Sequence, residues 1–220
     1  MMIGARTAAW SVKKLPYLRR VAYLESHGTE YIDTGLFANT GEGVDHVDGI
    51  EYRFNSTRSI EWDFTFGTEN GPRSQRFAMW SSELQNHQFA VRYSPISQNF
   101  SGFNINTDYD ISFKNGIVKI DGVEKVRDDI SFAIRGTVWI FGINWLEFGI
   151  DNDNPFAGKI YFADLYWRDD LRMSLIPVLD LSGRPCMYNQ APSAVPADDP
   201  SRFFYNKGSG EFTTDLDVQT

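Results

Sequence analysis

Between Tyr109 and Val126 the chain carries two turn dipeptides, Asn115-Gly116 and Asp121-Gly122, each set between short runs such as Asp-Ile-Ser-Phe-Lys and Ile-Val-Lys-Ile. Both dipeptides accept the positive φ that two-residue type I′ turns demand, so the spacing predicts two hairpins in succession. A meander of this kind has one apolar face to bury, and it commits this part of the chain to an antiparallel sheet.

The same period of two recurs elsewhere. In Ile50 to Asn55, Ile50, Tyr52 and Phe54 share one face and Glu51, Arg53 and Asn55 the other. In Ile60 to Phe66 the alternation places Ile60, Trp62, Phe64 and Phe66 on one side and Glu61, Asp63 and Thr65 on the other. Gln75 to Trp80 and Gln88 to Tyr93 read as further strands, separated by the polar segment Ser81 to Asn86. Thr137 to Ile143 is a nearly continuous apolar run, expected of a strand covered on both faces. A long loop, Asn144 to Pro155, follows it. Lys159 to Tyr166 and Leu171 to Leu181 are predicted strands joined by a turn at Arg168-Asp169-Asp170. Ala191 to Pro200, with three prolines, cannot continue a strand and is expected as a surface excursion. Short strands at Arg202 to Asn206 and Glu211 to Thr213 end the pattern, and any helix is expected to be short.

Composition agrees with an all-β chain. Aromatic residues make up 15% of the 220 residues, with 18 Gly and 9 Pro, which suits short strands and tight turns. This length holds a single sandwich domain, expected over 21–220, with an N-terminal arm at 1–20. The formal net charge of -8 argues against nucleic acid as a partner. The single cysteine, Cys186, excludes an intramolecular disulfide, so assembly in a reducing cytoplasm is compatible with the chain. As a buried thiol it is read as core filler rather than a nucleophile. The arm contains Ala8-Ala9-Trp10 and basic residues at 13, 14, 19 and 20, but its apolar stretch is too short for an export signal or a membrane span. It is expected to dock on a partner, with Arg6, Trp10, Lys13, Lys14 and Tyr17 as the contact residues.

Tyr23 to Gly35, reading Tyr-Leu-Glu-Ser-His-Gly-Thr-Glu-Tyr-Ile-Asp-Thr-Gly, is echoed by Gly-Lys-Ile-Tyr at 158 to 161, Leu-Ile-Pro at 175 to 177 and Gly-Ser-Gly-Glu-Phe-Thr at 208 to 213. Together these resemble the concanavalin A-like lectin/glucanase superfamily (laminin-G-like), in the non-enzymatic form found in gut bacterial surface proteins and their phages. The resemblance implies a jelly-roll β-sandwich of two antiparallel sheets whose first strand lies beside the last ones. Ile3-Gly4-Ala5-Arg6-Thr7-Ala8-Ala9-Trp10 is similar to a leader found on proteins of gut Bacteroides and their mobile elements, which implies a phage virion component attached through its arm.

The residues offer three kinds of site. Related glucanases use a strand pattern Glu-x-Asp-x-Glu, and retaining hydrolysis needs two carboxyls about 5–5.5 Å apart. Here Glu61-Trp62-Asp63 supplies only part of it, because Thr65 or Phe66 stands where the second Glu belongs, so a solvated polar face is the preferred reading. Asp151-Asn152-Asp153-Asn154 offers oxygen ligands for calcium, but such runs more often turn the chain, and no cofactor is expected. His27, His46 and His87 lack metal-ligand spacing. Glycan binding needs aromatic faces with nearby amides or carboxylates; Trp80, Tyr93, Asn144, Trp145, Asp151 and Asp153 are the residues that fit, with a core or protein-interface role as the alternative for the tryptophans.

The leading expectation is a non-catalytic, lectin-like adhesion or decoration protein in a multicopy assembly, a phage virion, binding cell-surface or mucosal glycans. The bacterial cell surface is the alternative location. A purely structural virion module that never meets a sugar is the second reading, and a glycosidase using Glu61 and Asp63 the third.

Overall fold

The computed structural model describes residues 15–58, 63–70, 75–82, 87–145, 156–192 and 195–216. In chain order the first strands are β1 (Arg19–Arg20), β2 (Leu24–His27), β3 (Ile32–Asn39), β4 (His46–Val47), β5 (Gly49–Ser56), β6 (Asp63–Glu69) and β7 (Arg76–Ser82). Next come β8 (Gln88–Tyr93), β9 (Ile96–Ser101), β10 (Asp108–Lys114), β11 (Ile117–Ile120), β12 (Val123–Arg127), β13 (Ala133–Ile140) and β14 (Asn144–Trp145). The chain ends with β15 (Ala157–Trp167), β16 (Asp170–Leu179), β17 (Pro185–Asn189), β18 (Phe203–Phe204) and β19 (Thr213–Thr214). Among the described residues the helical content is one 3₁₀ turn, Pro200–Arg202.

The strands form an all-β sandwich. The first sheet runs β12-β11-β10-β5-β15-β16-β17-β18, with β2 on β15, β1 on β16 and β19 on β2. The second runs β4-β3-β13-β6-β7-β8-β9, with β14 against β6. Pairing is antiparallel except at β3/β4 and β6/β14, two short parallel contacts absent from the sequence-based expectation.

The predicted meander is β10-β11-β12. Asn115, Gly116, Asp121 and Gly122 all have positive φ, between 51° and 74°, as its two turns require. The predicted face of β5 is also realised, with Ile50, Tyr52 and Phe54 in the core. Opposite them, Phe66, Phe77, Met79, Phe89, Val91 and Tyr93 point inward from the second sheet. Phe66 meets Phe113 edge-on at 5.4 Å, and Tyr52 bonds across the layer to Thr65 at 2.6 Å. Each large apolar side chain buried this way stabilises the fold by about 1.5–3 kcal/mol.

β6 departs from simple alternation. A register shift between Phe64 and Phe66 opposite Trp80 and Met79 makes a bulge, so Phe66 enters the core while Phe64 joins a cluster on the outer face with Ala78, Trp80, Ala90 and Ile143. The two phenylalanines expected on one side therefore lie on opposite sides.

The ends of the chain meet as the resemblance implied. β2 lies between β15 and β19, and the backbone N–H groups of Lys207 and Ser209 donate to the carbonyls of Tyr31 and Thr29. Glu30, 2% exposed, folds back into this junction and accepts from the Ser26 hydroxyl, the His27 and Thr29 amides and the Thr29 hydroxyl. Burial alone would raise its pKa, but these hydrogen bonds to the carboxylate bring it below the usual value.

Residues 1–14 of the expected arm, with Arg6, Trp10, Lys13 and Lys14, lie outside the described residues. Tyr17 does not stand free for a partner. Its ring packs on Tyr188 at 5.2 Å beside Ile176, Val178 and Cys186, and Arg19 and Arg20 pair with β16. The chain thus joins the sandwich before position 21. The expected excursion at 191–200 is gathered around Arg202. This buried guanidinium donates to the carbonyls of Asn189, Ala191, Val195 and Pro196, so the loop is held by backbone acceptors rather than by a sheet.

Candidate functional site

The two outward faces of the sandwich differ in how their polar groups are satisfied. On the first sheet Arg53 pairs with Asp110 at 3.2 Å, Asn55 and Tyr161 both donate to Asp108, and Ser112 and Tyr166 both donate to Glu51. Donors and acceptors there meet across neighbouring strands, as cross-strand pairs do on a solvated sheet.

The second sheet is built differently. Its register aligns Phe64, Trp80, Ala90 and Asn99 in one row across β6, β7, β8 and β9. The next row aligns Trp139, Gly67, Ala78, Arg92 and Ser97. Gly67, Ala78 and Ala90 are small, so the segment after β13 can lie down upon them. A methyl group at Gly67 would press on Ala78 Cβ and on Ile143, which shows how close that approach is. Trp145 then comes within 5.9 Å of the Phe64 ring, and the Asn144 amide donates to the carbonyl and hydroxyl of Thr137. Farther along the same row of strands, Trp139 stacks on Tyr31 at 4.2 Å.

Arg92 covers this aromatic support. Its guanidinium lies 4.9 Å over the Trp80 ring, with Nη1 donating to Val91 O at 2.8 Å and to Asn99 Oδ1 at 3.5 Å. Asn99 in turn donates to Gln88 at 3.2 Å. The neighbouring Arg76 is held by Glu69 at 2.6 Å. Partial burial, and then the charge of Arg76, lower the Arg92 pKa. A guanidinium stays cationic despite this, so the face carries a cation with no carboxylate partner among the described residues.

Of the glycan-contact residues expected from sequence, Asn144 and Trp145 are half-buried and belong to this face. Trp80 lies there too, but at 2% exposure its ring is beneath Arg92 and supports the surface instead of forming it. Tyr93 is misplaced by the expectation. It points into the core at 0% exposure, donates to the Asp48 carbonyl, and has no face to offer a sugar, because its position in β8 alternates with Arg92. Asp151 and Asp153, and with them the calcium suggestion, lie outside the described residues. Sequence reading passed over Arg92, Gln88 and Asn99. The signal was present in β8, where Gln88, Ala90 and Arg92 form the face opposite Phe89, Val91 and Tyr93.

The carboxylate of the glucanase-like pattern that can be described, Asp63, is 1% exposed. It accepts from the Ser56 hydroxyl, the Ala157 amide and Arg58, and so ties β6 to the ends of β5 and β15. Burial pushes its pKa up to about 6 against the opposing pull of Arg58 and these hydrogen bonds. Glu61 lies outside the described residues. Cys186 is fully buried and its thiol is pushed up to about 12, first by desolvation and then by Asp180. Among the described residues no three His, Cys, Asp or Glu side chains converge as a metal site.

No protein-family model and no curated protein sequence matches this chain.

Proposed function

We propose that the chain is a non-catalytic, lectin-like module of the concanavalin A-like type, displayed in many copies on a larger assembly such as a phage particle, and that it holds glycans on the outer face of its second sheet. The observation that carries this reading is the pairing, on one face, of half-buried Trp145 with the Asn144 amide and the Arg92-Asn99-Gln88 network. Sugars are recognised by an aromatic surface for their C–H faces and fixed polar groups for their hydroxyls, and this face has both. Weak single contacts would be reinforced by many copies. The engagement of Asp63 with Ser56, Arg58 and Ala157 supports a structural role for that carboxylate rather than proton transfer.

A glycan array probed with the wild-type protein and with Trp145→Ala tests the proposal. Binding that is lost in the variant supports it, and silence of the folded wild-type protein across neutral and charged glycans overturns it.

A second reading, a structural module that binds only neighbouring subunits, is favoured by a different surface. Leu15, Leu18 and Leu181 are 56%, 56% and 60% exposed, and Leu15 and Leu181 line a shallow, mostly apolar groove with Pro16, Ala197 and Asp198. Loss of oligomers on deleting residues 1–20, together with a silent array, would select it.

A further inference from the structure

We infer that Arg92 makes the glycan face selective for acidic saccharides, those bearing a carboxylate or a sulfate; the inference rests on the glycan-binding reading above. The geometry of the guanidinium is the reason. Both protein hydrogen bonds of Arg92 leave from Nη1, to Val91 O and Asn99 Oδ1. Among the described residues its Nε and Nη2 donors meet no acceptor, and that edge of a guanidinium is the fork that grips a carboxylate or sulfate side-on.

The fork is also held in place. Trp80 supports the plane of the group from below at 4.9 Å, and Asn99, itself tied to Gln88, fixes one end. Little side-chain entropy is left to lose on binding, which favours a specific contact over a floating surface charge.

The charge balance points the same way. Among the described residues Arg76 is paired with Glu69 while Arg92 has no carboxylate partner, which leaves a cation on this face of a chain whose formal net charge is -8. Arg53, Arg58, Arg76 and Arg127 each face a carboxylate within 3.3 Å, buried Arg202 is satisfied by backbone carbonyls instead, and among the described residues Arg92 has neither a carboxylate nor a full set of acceptors. A half-buried arginine kept without one is explained if the acid arrives with the ligand.

The test is binding of the full chain to immobilised polygalacturonate, chondroitin sulfate and neutral dextran. Arg92→Met and Arg92→Lys are compared with wild type, and thermal melting is used to confirm that each is folded. The inference expects tighter binding to either charged polymer than to dextran, at least a tenfold loss on that polymer for Arg92→Met, and a partial loss for Arg92→Lys, whose ammonium lacks the fork. Preference for polygalacturonate identifies the carboxylate as the group held, and preference for chondroitin sulfate, which carries both groups, over polygalacturonate identifies the sulfate. If Arg92→Met does not fold, the Lys variant and the loss of wild-type binding between low and high salt carry the same comparison. Equal binding to dextran and to both charged polymers, unchanged in the variants, overturns the acidic preference and leaves glycan binding standing. No binding to any of the three by folded wild-type protein overturns this inference, and the wider array then decides the reading beneath it.

Discussion

Gly208 lies against the carbonyl oxygen of Thr29, so close that a β-carbon at position 208 would overlap it. This contact joins two segments near opposite ends of the chain, 23–35 and 208–213, on which the resemblance rests. The neighbouring Gly210 is pressed in the same way onto Glu30 and the Thr29 hydroxyl. Close backbone approach, rather than an unusual φ, is what demands glycine at 208.

Gly208→Ala is therefore expected to destabilise the fold by about 2 kcal/mol, since the obstacle is backbone and cannot rotate away. For a chain of this size that lowers the thermal midpoint by roughly 4–8 °C. Ser209→Ala, an exposed neighbour whose backbone makes the bond, is expected to stay within about 0.5 kcal/mol of wild type. Equal midpoints for the two variants would contradict the closing role assigned to this junction.

Glu30→Gln is expected to cost about 2–3 kcal/mol at neutral pH, because an amide presents an N–H₂ to donors that now meet carboxylate oxygens. Because the folded-state pKa of Glu30 is lowered, its contribution is present above the ordinary value of 4.5 and is lost as pH falls through the folded value. Denaturant titrations at pH 7 and pH 3 should show the gap between variant and wild type narrowing in acid.

Asp63 has the opposite sign. Its pKa is raised from 3.8 to about 6, so its favourable contribution is complete below 3.8 and disappears as pH rises through about 6. Holding it ionised at neutral pH costs about 3 kcal/mol. Asp63→Asn, which keeps an acceptor for the Ala157 amide, is expected to flatten the pH dependence of stability between pH 4 and 7. An unchanged slope would show that the carboxylate is not desolvated as described.

Tyr93→Phe and Trp145→Ala separate core from surface. The first leaves the Asp48 carbonyl without its hydroxyl donor and should lower stability by about 1 kcal/mol while leaving glycan retention unchanged. The second should abolish retention. Loss of retention in Tyr93→Phe, with no change in stability, would reverse the assignment.

Native Cys186 should resist a thiol-specific disulfide reagent at pH 8, where a thiol pushed up to about 12 is almost wholly protonated as well as buried. Reaction is expected to follow global unfolding in denaturant. Rapid labelling of the folded protein would show that the strand pair β16-β17 opens.

Much of the architecture was legible because it is encoded locally. The Asn115-Gly116 and Asp121-Gly122 turns need only their own backbone preferences, and the alternation in β5 assigns Tyr52 and Phe54 to the core without knowledge of the partner strand. The site was less legible. Aromatic type and loop position singled out Trp145 and Asn144 as glycan contacts, and the structure places both half-buried on the outer face, but the same reasoning also picked Tyr93, whose side is decided by the register of β8. Tyr17 looked like a free contact residue because nothing near it in sequence reveals Tyr188.

Turn dipeptides and period-two patterning determined that this chain would be all-β, since each acts over a few residues and does not depend on distant partners. Only the tertiary structure decided which residues meet on each outer face. The bulge at Phe64 and Phe66, the descent of Ile143 to Trp145 onto Gly67 and Ala78, and the placement of Arg92 over Trp80 all depend on strands far apart in the chain. Pairing register and charge balance are properties of neighbours in space, and residues brought together that way leave no local pattern to read.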